Sequence, residues 1–402
     1  MKSTVQYKCP DCGGSVHYDP NTRTFACDWC YSFFTKEQLV GNEDLADDDD
    51  TPNYADELDV YVCASCGAEI VCDHNTSATF CCYCHSPVSL KGRLSGVFRP
   101  EYIIPFNVDK DKAIEFFKGQ FKSDRFADNG FLSDAQLETM KGLYVPFWMI
   151  DCDIHTRISG TATAVDPKTA HSEYADLAYI NYRFTRGADI SFSKIPIVAS
   201  ERINDGLMNS IEPYSYSQLR EFSMSYLAGF YAEKFDVSPD SLTEKLVEKL
   251  KPTAEEVVKR KSLAIYDSLD IRRSQTEVKR CDWHYVLLPV WFMSYKSGKD
   301  TFFFAVNGQT GKSYGKYPLS MPKVVLFGVI MGFIAAAFFR AALDFLSLQS
   351  TADYTVPIAG IIGGIAAVCC VLSKYRNYKK IGTEYYVKFS DADITERTDT
   401  RV

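Results

Sequence analysis

Histidine is scarce in this chain, with six among 402 residues, and no two of them form the His-Glu-x-x-His pair of a helical zinc hydrolase site. No Gly-x-Ser-x-Gly elbow is present, so the nucleophile of an α/β hydrolase is missing. A Walker A loop is missing too: Gly311-Lys312-Ser313 ends like one, but Val306 stands where the first glycine is required. The N-terminus, Met1-Lys-Ser-Thr-Val-Gln-Tyr7, has no apolar run, and no signal peptide is expected. Cations are thin in the first quarter, where residues 1–95 hold 6 Lys/Arg against 15 Asp/Glu. That balance argues against nucleic-acid binding, which needs clustered positive charge against phosphate. With no catalytic constellation, the chain reads as a non-enzyme.

What the chain does have is cysteine, and eight of its 14 cysteines form one pattern twice. Cys9, Cys12, Cys27 and Cys30 are spaced C-x2-C-x14-C-x2-C, and Cys63, Cys66, Cys81 and Cys84 repeat that spacing. The flanks repeat as well: Tyr7-Lys-Cys-Pro-Asp-Cys-Gly13 matches Tyr61-Val-Cys-Ala-Ser-Cys-Gly67. Four thiolates in two knuckles make a closed tetrahedral site with no open position for chemistry, the arrangement of a structural zinc ribbon. The expected cofactors are therefore two zinc ions, with a rubredoxin-type iron site as the alternative on the same ligands. Cys72, His74, Cys82 and His85 lie close by, but the register of the repeat selects Cys81 and Cys84. Thiolate ligands must stay reduced, which points to a reducing cytosol. Aromatics such as Phe25, Trp29, Phe33, Phe34, Phe80 and Tyr83 fit thin ribbon cores or a protein-binding surface better than base stacking.

The pattern divides the chain into a multidomain layout. Two small β zinc ribbons cover 1–36 and 61–95. The linker between them, 37–60, has nine acidic residues and no basic one over Gly41–Asp59, which suits a solvated, self-repelling spacer. Residues 98–320 read as an α+β soluble domain. Helices are expected at Asp109–Phe121, at a capping box Ser133-x-x-Gln136, at Ser217–Phe235, at Pro239–Leu250, and again from Thr253 once Pro252 has ended the previous one. Strands are expected at Tyr144–Thr163, Tyr174–Phe184 and Val278–Tyr317. A hairpin turns at Asn307-Gly308. Tyr144-Val-Pro-Phe-Trp-Met149 resembles Val286-Leu-Leu-Pro-Val-Trp-Phe-Met293, which makes Trp148 and Trp291 candidate core anchors at equivalent positions of a duplicated fold. A proline inside such sequence implies an edge, a strand start or a bulge. Asp151, Asp153 and His155 alternate on one strand face and could ligate a metal, though a solvated face is the simpler reading.

Two apolar segments follow. Residues 323–348 contain 16 uncharged residues, Val324–Phe339, with Arg340 and Asp344 four apart beyond them. Residues 355–373 are 19 residues without a charge. A span needs about 20 residues, so the pair reads as a C-terminal two-helix transmembrane hairpin. Gly328-x-x-x-Gly332 and Gly360-x-x-x-Gly364 would permit close helix approach. The connecting loop lacks Lys and Arg. The outer flanks carry Lys312, Lys316 and Lys323 on one side and Lys374, Arg376, Lys379 and Lys380 on the other. The positive-inside rule puts both termini, including the tail 374–402, in the cytoplasm.

These knuckles, Tyr144-Val-Pro-Phe-Trp148, Tyr226-Leu-Ala-Gly-Phe230, Leu287-Leu-Pro-Val-Trp291, Val306-Asn-Gly-Gln-Thr-Gly-Lys312 and the terminal apolar pair together resemble a group of bacterial membrane proteins described as transcription-factor-IIB-type zinc-ribbon-containing. The resemblance covers most of the chain and implies architecture: a multi-pass protein of the bacterial cell membrane. Some members of the group carry labels taken from primosomal helicases, but no helicase core is recognisable here. The resulting expectation is a membrane-anchored zinc-binding adaptor or scaffold whose cytoplasmic ribbons recruit an unidentified protein partner at the lipid bilayer. The alternative is a nucleic-acid-associated factor, related to replication or transcription and held at the membrane.

Overall fold

The computed structural model describes residues 7–40, 58–63, 69–73, 79–80, 87–93, 100–121, 126–128, 130–131, 133–166, 178–297, 300–345, 352–380 and 389–401. The first cysteine module comprises strands β1 (Tyr7–Lys8), β2 (Ser15–Asp19), β3 (Thr24–Cys27) and β4 (Phe33–Phe34), in that order in one antiparallel sheet, then a short helix α1 (Lys36–Val40). The second contributes β5 (Leu58–Cys63), β6 (Glu69–Asp73), β7 (Thr79–Phe80) and β8 (Pro87–Arg93). The large domain runs β9 (Tyr102–Ile103), α2 (Lys110–Phe121), α3 (Asp134–Leu137), β10 (Lys141–Val165), β11 (Tyr179–Val198), α4 (Asp205–Ile211), β12 (Arg220–Glu221) and β13 (Tyr231–Glu233). It continues through α5 (Thr243–Ser262), β14 (Ser268–Ser297), β15 (Asp300–Asn307) and β16 (Ser313–Gly315). Two long helices, α6 (Met321–Phe345) and α7 (Ala352–Lys380), precede a last strand, β17 (Phe389–Arg401).

The centre of the large sheet is the antiparallel pair β10 and β14, and the two strands carry equivalent surroundings. Tyr144 faces Pro289 and Pro146 faces Leu287. Parallel β13 meets β10 at Leu143 and Tyr144, just as parallel β9 meets β14 at Val286 and Leu287. Beyond each proline a hairpin partner takes over: β11 from Phe147 on, β15 from Val290 on. The backbone repeats in detail. Ala199 N–H donates to Pro146 O at 3.0 Å and accepts Asp236 N–H on its own carbonyl at 3.0 Å; Gly308 donates to Pro289 O at 2.9 Å and accepts Asn107 N–H at 2.8 Å. The domain is thus an internally duplicated β-α-β-β unit, and Trp148 and Trp291 are counterparts. Pro146 and Pro289 correct the expectation of an edge or a bulge. Each sits in a central strand where one neighbour ends and the next begins, so its missing N–H leaves no ladder partner unpaired.

Two helix expectations fail. Ser217–Phe235 forms single 3₁₀ turns at Tyr216–Gln218 and Met224–Leu227 with β12 and β13 between and after them. Its serines compete for backbone hydrogen bonds, and Gly229 takes φ +94°, which a helix cannot continue. Conversely, Pro252 does not end a helix, because α5 runs straight through it. Leu246, Leu250, Ala254, Val257 and Val258 form one buried stripe along α5, and packing of that stripe outweighs the lost hydrogen bond. Pro239–Leu242 is a 3₁₀ turn leading into α5. The capping box is half made: Ser133 Oγ accepts Gln136 N–H at 3.3 Å, while the Gln136 amide turns instead to Ser294 O at 2.7 Å. The expected strand from Tyr174 begins at Tyr179 and continues to Val198; residues 171–177 lie outside the described ones. The hairpin at Asn307 is present, closed by Gly311 N–H to Asn307 O at 2.9 Å, and β16 rather than a helix follows it, unlike a phosphate-binding loop.

Both α6 and α7 are long and apolar enough to cross a membrane, over Met321–Asp344 and Thr355–Ser373. They cross on the glycines: a Cβ on Gly332 would sit 2.8 Å from Gly360 O, and one on Gly364 2.9 Å from Gly328 O. Phe333, Phe338, Ile361 and Ile365 point outward from the pair. Arg340 Nε reaches Asp344 at 3.4 Å. The C-terminal segment does not end as a plain tail. β17 pairs antiparallel with β11 from Tyr182↔Arg401 to Phe192↔Phe389. Arg186, 0% exposed, makes two bonds to Asp399 at 2.7 and 2.9 Å and one to Thr398 O at 3.0 Å.

Candidate metal centre

Each knuckle of the first module is a tight turn built on local hydrogen bonds. Gly13 N–H donates to Cys9 O at 2.8 Å and Cys9 N–H to Gly14 O at 2.7 Å; Tyr31 N–H donates to Cys27 O at 3.1 Å and Cys27 N–H to Ser32 O at 3.0 Å. The residue after the second cysteine is left-handed in both turns, Gly13 at φ +72° and Tyr31 at φ +59°. Glycine takes that conformation freely, whereas a tyrosine there costs about 1 kcal/mol.

The two turns bring four sulfurs together. Cys9 Sγ lies 3.5 Å from Cys30 Sγ, Cys12 Sγ lies 3.6 Å from Cys27 Sγ, and all four fall within 4.8 Å of one another. A tetrahedral ion with bonds of 2.3 Å holds its sulfurs about 3.8 Å apart, so the cluster fits one metal ion. Cys9 and Cys27 are buried, Cys12 and Cys30 exposed. The thiols are unequal. Ser32, through its hydroxyl and its amide, brings Cys30 down to about 6. At Cys12 the Gly14 amide lowers the thiol, but neighbouring Cys30, Cys27 and Cys9 together with burial outweigh it and push it up to about 12. Four sulfurs this close cannot all ionise without a cation among them.

The module is seated on the large domain. Tyr18 packs edge-on against Phe25 and Tyr226, with ring centroids at 5.3 and 5.6 Å, and Tyr18 N–H donates to Ala228 O at 3.1 Å. Burial pushes the Tyr18 hydroxyl up to about 12. The expected aromatic core divides. Phe25 and Phe34 are buried, Trp29 and Phe33 are exposed, and Tyr31, which the sequence did not single out, is exposed beside them.

Of the second set, Cys63 ends β5, while Cys66, Cys81 and Cys84, with the neighbouring His74, Cys82 and His85, lie outside the described residues. Its strands join the large sheet, β6 pairing with β13 at Val71↔Ala232 and Ile70↔Glu233. On the long strands, Asp151, Asp153 and His155 do not converge on a metal. Asp151 accepts Lys194 N–H at 2.7 Å, Asp153 accepts Ser191 Oγ–H at 2.6 Å, and His155 pairs with Asp189 at 2.6 Å. A cleft of about 270 Å³ beside them is lined by Asp153, Asp189, Lys279, Asp391 and Asp393. The last two come from β17, which sequence alone did not bring here.

No family model matches the chain, and no solved structure matches it. It is 33% identical over 320 residues to the uncharacterized protein YdjG of Bacillus subtilis, an alignment that covers 80% of this chain and 92% of that protein.

Proposed function

The chain belongs to the same family as YdjG, and from its own residues we propose that it is a membrane-anchored, zinc-binding adaptor whose cysteine modules recruit a protein partner. The observation that carries this reading is the four-sulfur cluster, closed on all sides by protein ligands and seated on a duplicated sheet domain. Such a centre orders a small module and leaves no position for a substrate. Zinc is the ion that suits a four-thiolate site, and the repeated spacing gives a second ion to Cys63, Cys66, Cys81 and Cys84. The apolar hairpin serves as the anchor, and anchoring raises the partner's effective concentration at the bilayer. Pairing of β17 with β11 supports placement of both ends on one side of the membrane. A chain that leaves the sheet domain through α6 and returns to the same domain after α7 must cross an even number of times. Co-purification from detergent extracts tests the reading: a stoichiometric protein partner is expected, and recovery of none would sink it.

A further inference from the structure

The first part of β14 is an open edge of the large sheet. From Ser268 to Trp283 it pairs with β10 alone among the described residues; β9 joins it only at Val286 and Leu287, and β15 from Val290. Its outer side presents a long row of backbone donors and acceptors that no described strand takes up. The side chains there are incompletely covered as well. Leu269, Ile271, Val278, Cys281 and Trp283 pack against the core yet stay half-buried, while Ile154, Ile158 and Ala162 on the same face of β10 are closed off. The opposite face is charged, and its signs alternate through Asp270, Arg273, Glu277, Arg280 and Asp282, all exposed. Arg273 and Glu277 have no ion-pair partner among the described residues. Asp270 and Arg280 are held only by exposed neighbours, Arg272 at 3.3 Å and Asp282 at 2.9 Å, and such pairs contribute little. Finally, β14 carries one extra residue against β10 at Arg272 and another at Lys279.

Charges and bulges on an edge keep unrelated strands away. On this edge they are also complementary to themselves. Two copies laid antiparallel about Gln275 put Arg273 of one opposite Glu277 of the other. Arg272 of one copy and Lys279 of the other are both extra residues, so the register resumes beyond them: Ile271 meets Val278, Asp270 meets Arg280 and Leu269 meets Cys281. Each contact occurs twice about the two-fold axis, with opposite charges paired on one face and apolar side chains on the other. Neighbouring registers lose this match. An axis at Thr276 sets Arg273 against Arg280 and Asp270 against Asp282, and an axis at Ser274 sets Asp270 against Glu277. We propose that this edge of β14 pairs antiparallel with the same edge of a second copy of the chain, making one sheet across a two-fold axis at Gln275. The pairing does not rest on the adaptor reading, and recovery of no partner would leave it standing.

The test uses the full chain in membrane vesicles. Gln275→Cys puts a thiol beside its own copy at the axis, and mild oxidation should link it into a covalent dimer. The control is Thr398→Cys, an exposed position on the opposite outer edge, β17, where no pairing is proposed. The yield from Gln275→Cys is expected to exceed that of the control and of the unaltered protein about tenfold or more. Glu277→Arg in the same background sets like charges across the axis and should lower the yield about tenfold; adding Arg273→Glu restores opposite charges and should recover it. Both substitutions fall on exposed positions. No excess of dimer from Gln275→Cys, equal linkage from Thr398→Cys, a yield indifferent to Glu277→Arg, or no recovery on adding Arg273→Glu would each overturn the proposal.

Discussion

Trp148 and Trp291 are counterparts in the two halves of a duplicated unit: each indole N–H donates to a valine carbonyl, Val237 at 2.9 Å and Val108 at 2.8 Å. Those valines stand at matching places after β13 and β9, each just ahead of the helix of its own half. Each tryptophan also packs on a phenylalanine from the same connection, Phe235 at 5.0 Å and Phe106 at 5.2 Å. Each indole therefore ties a central strand of one half to the connection ahead of the helix of the other half.

Replacing either indole by a benzyl ring should show this equivalence. Trp148→Phe and Trp291→Phe each leave a carbonyl without its donor, and each should lower stability by about 1–3 kcal/mol. Urea unfolding of the detergent-solubilised protein measures it. If one variant costs nothing, the two sites are not energetic equivalents.

The β17 closure should be acid-labile. Burial raises the Asp399 carboxyl, but hydrogen bonds from Arg186 and Tyr266 and the charges of Arg186 and Arg397 prevail and hold it below the usual aspartate range. A carboxyl depressed in the folded state adds stability above its unfolded value, about 3.9, and loses it as pH falls through the folded value. Hydrogen exchange over 389–401 should therefore accelerate, relative to the rest of the sheet, only below about pH 4. Asp399→Asn should release the strand at neutral pH and flatten that dependence. Equal protection in the variant would show that Arg186 does not pin β17.

Metal content should follow the cysteine sets. Unaltered protein is expected to hold two zinc ions, and Cys27→Ser to hold one. Chelation should raise hydrogen exchange across residues 7–40 and loosen the Tyr18–Tyr226 contact, because binding and ordering of such a module are coupled. Full protection of that module after complete metal removal would contradict the assignment.

The helical hairpin should fail at its crossing. Gly332→Leu places a branched side chain where even a Cβ meets Gly360 O at 2.8 Å, so the helices must separate or slide. Cysteine crosslinking between residues substituted at Ala336 and Gly360, where a Cβ added to Gly360 would lie 3.2 Å from the Ala336 Cβ, should disappear in that background. Undiminished crosslinking would mean that the glycines are not the contact.

The candidate centre was legible because its ligands come from two tight turns. Knuckle spacing is local, and Cys9, Cys12, Cys27 and Cys30 met as their spacing required. The exposure of Tyr31 was not legible, because no residue pattern states which side of a thin module will face the large domain. The same division runs through the fold. The apolar runs of α6 and α7 follow from composition, since a span is defined by length and lack of charge. The helix expected at Ser217–Phe235 failed on local grounds, through its serines and Gly229, whereas the break expected at Pro252 failed because burial of one face of α5 overrode local preference.

Taken by itself, the amino-acid order determined the four-cysteine cluster of the first module, the apolar pair of helices and the recurrence of Pro146-x-Trp148 at Pro289-x-Trp291. Each is written within a few residues, where turn geometry, transfer free energy and strand alternation act. Tertiary structure alone decided that Pro146 and Pro289 lie at strand handovers, that β6 extends the sheet at β13, and that β17 returns to β11 under the hold of Arg186. Backbone pairing between distant segments carries little mark in side-chain pattern, because any strand offers the same donors and acceptors until packing selects its neighbour.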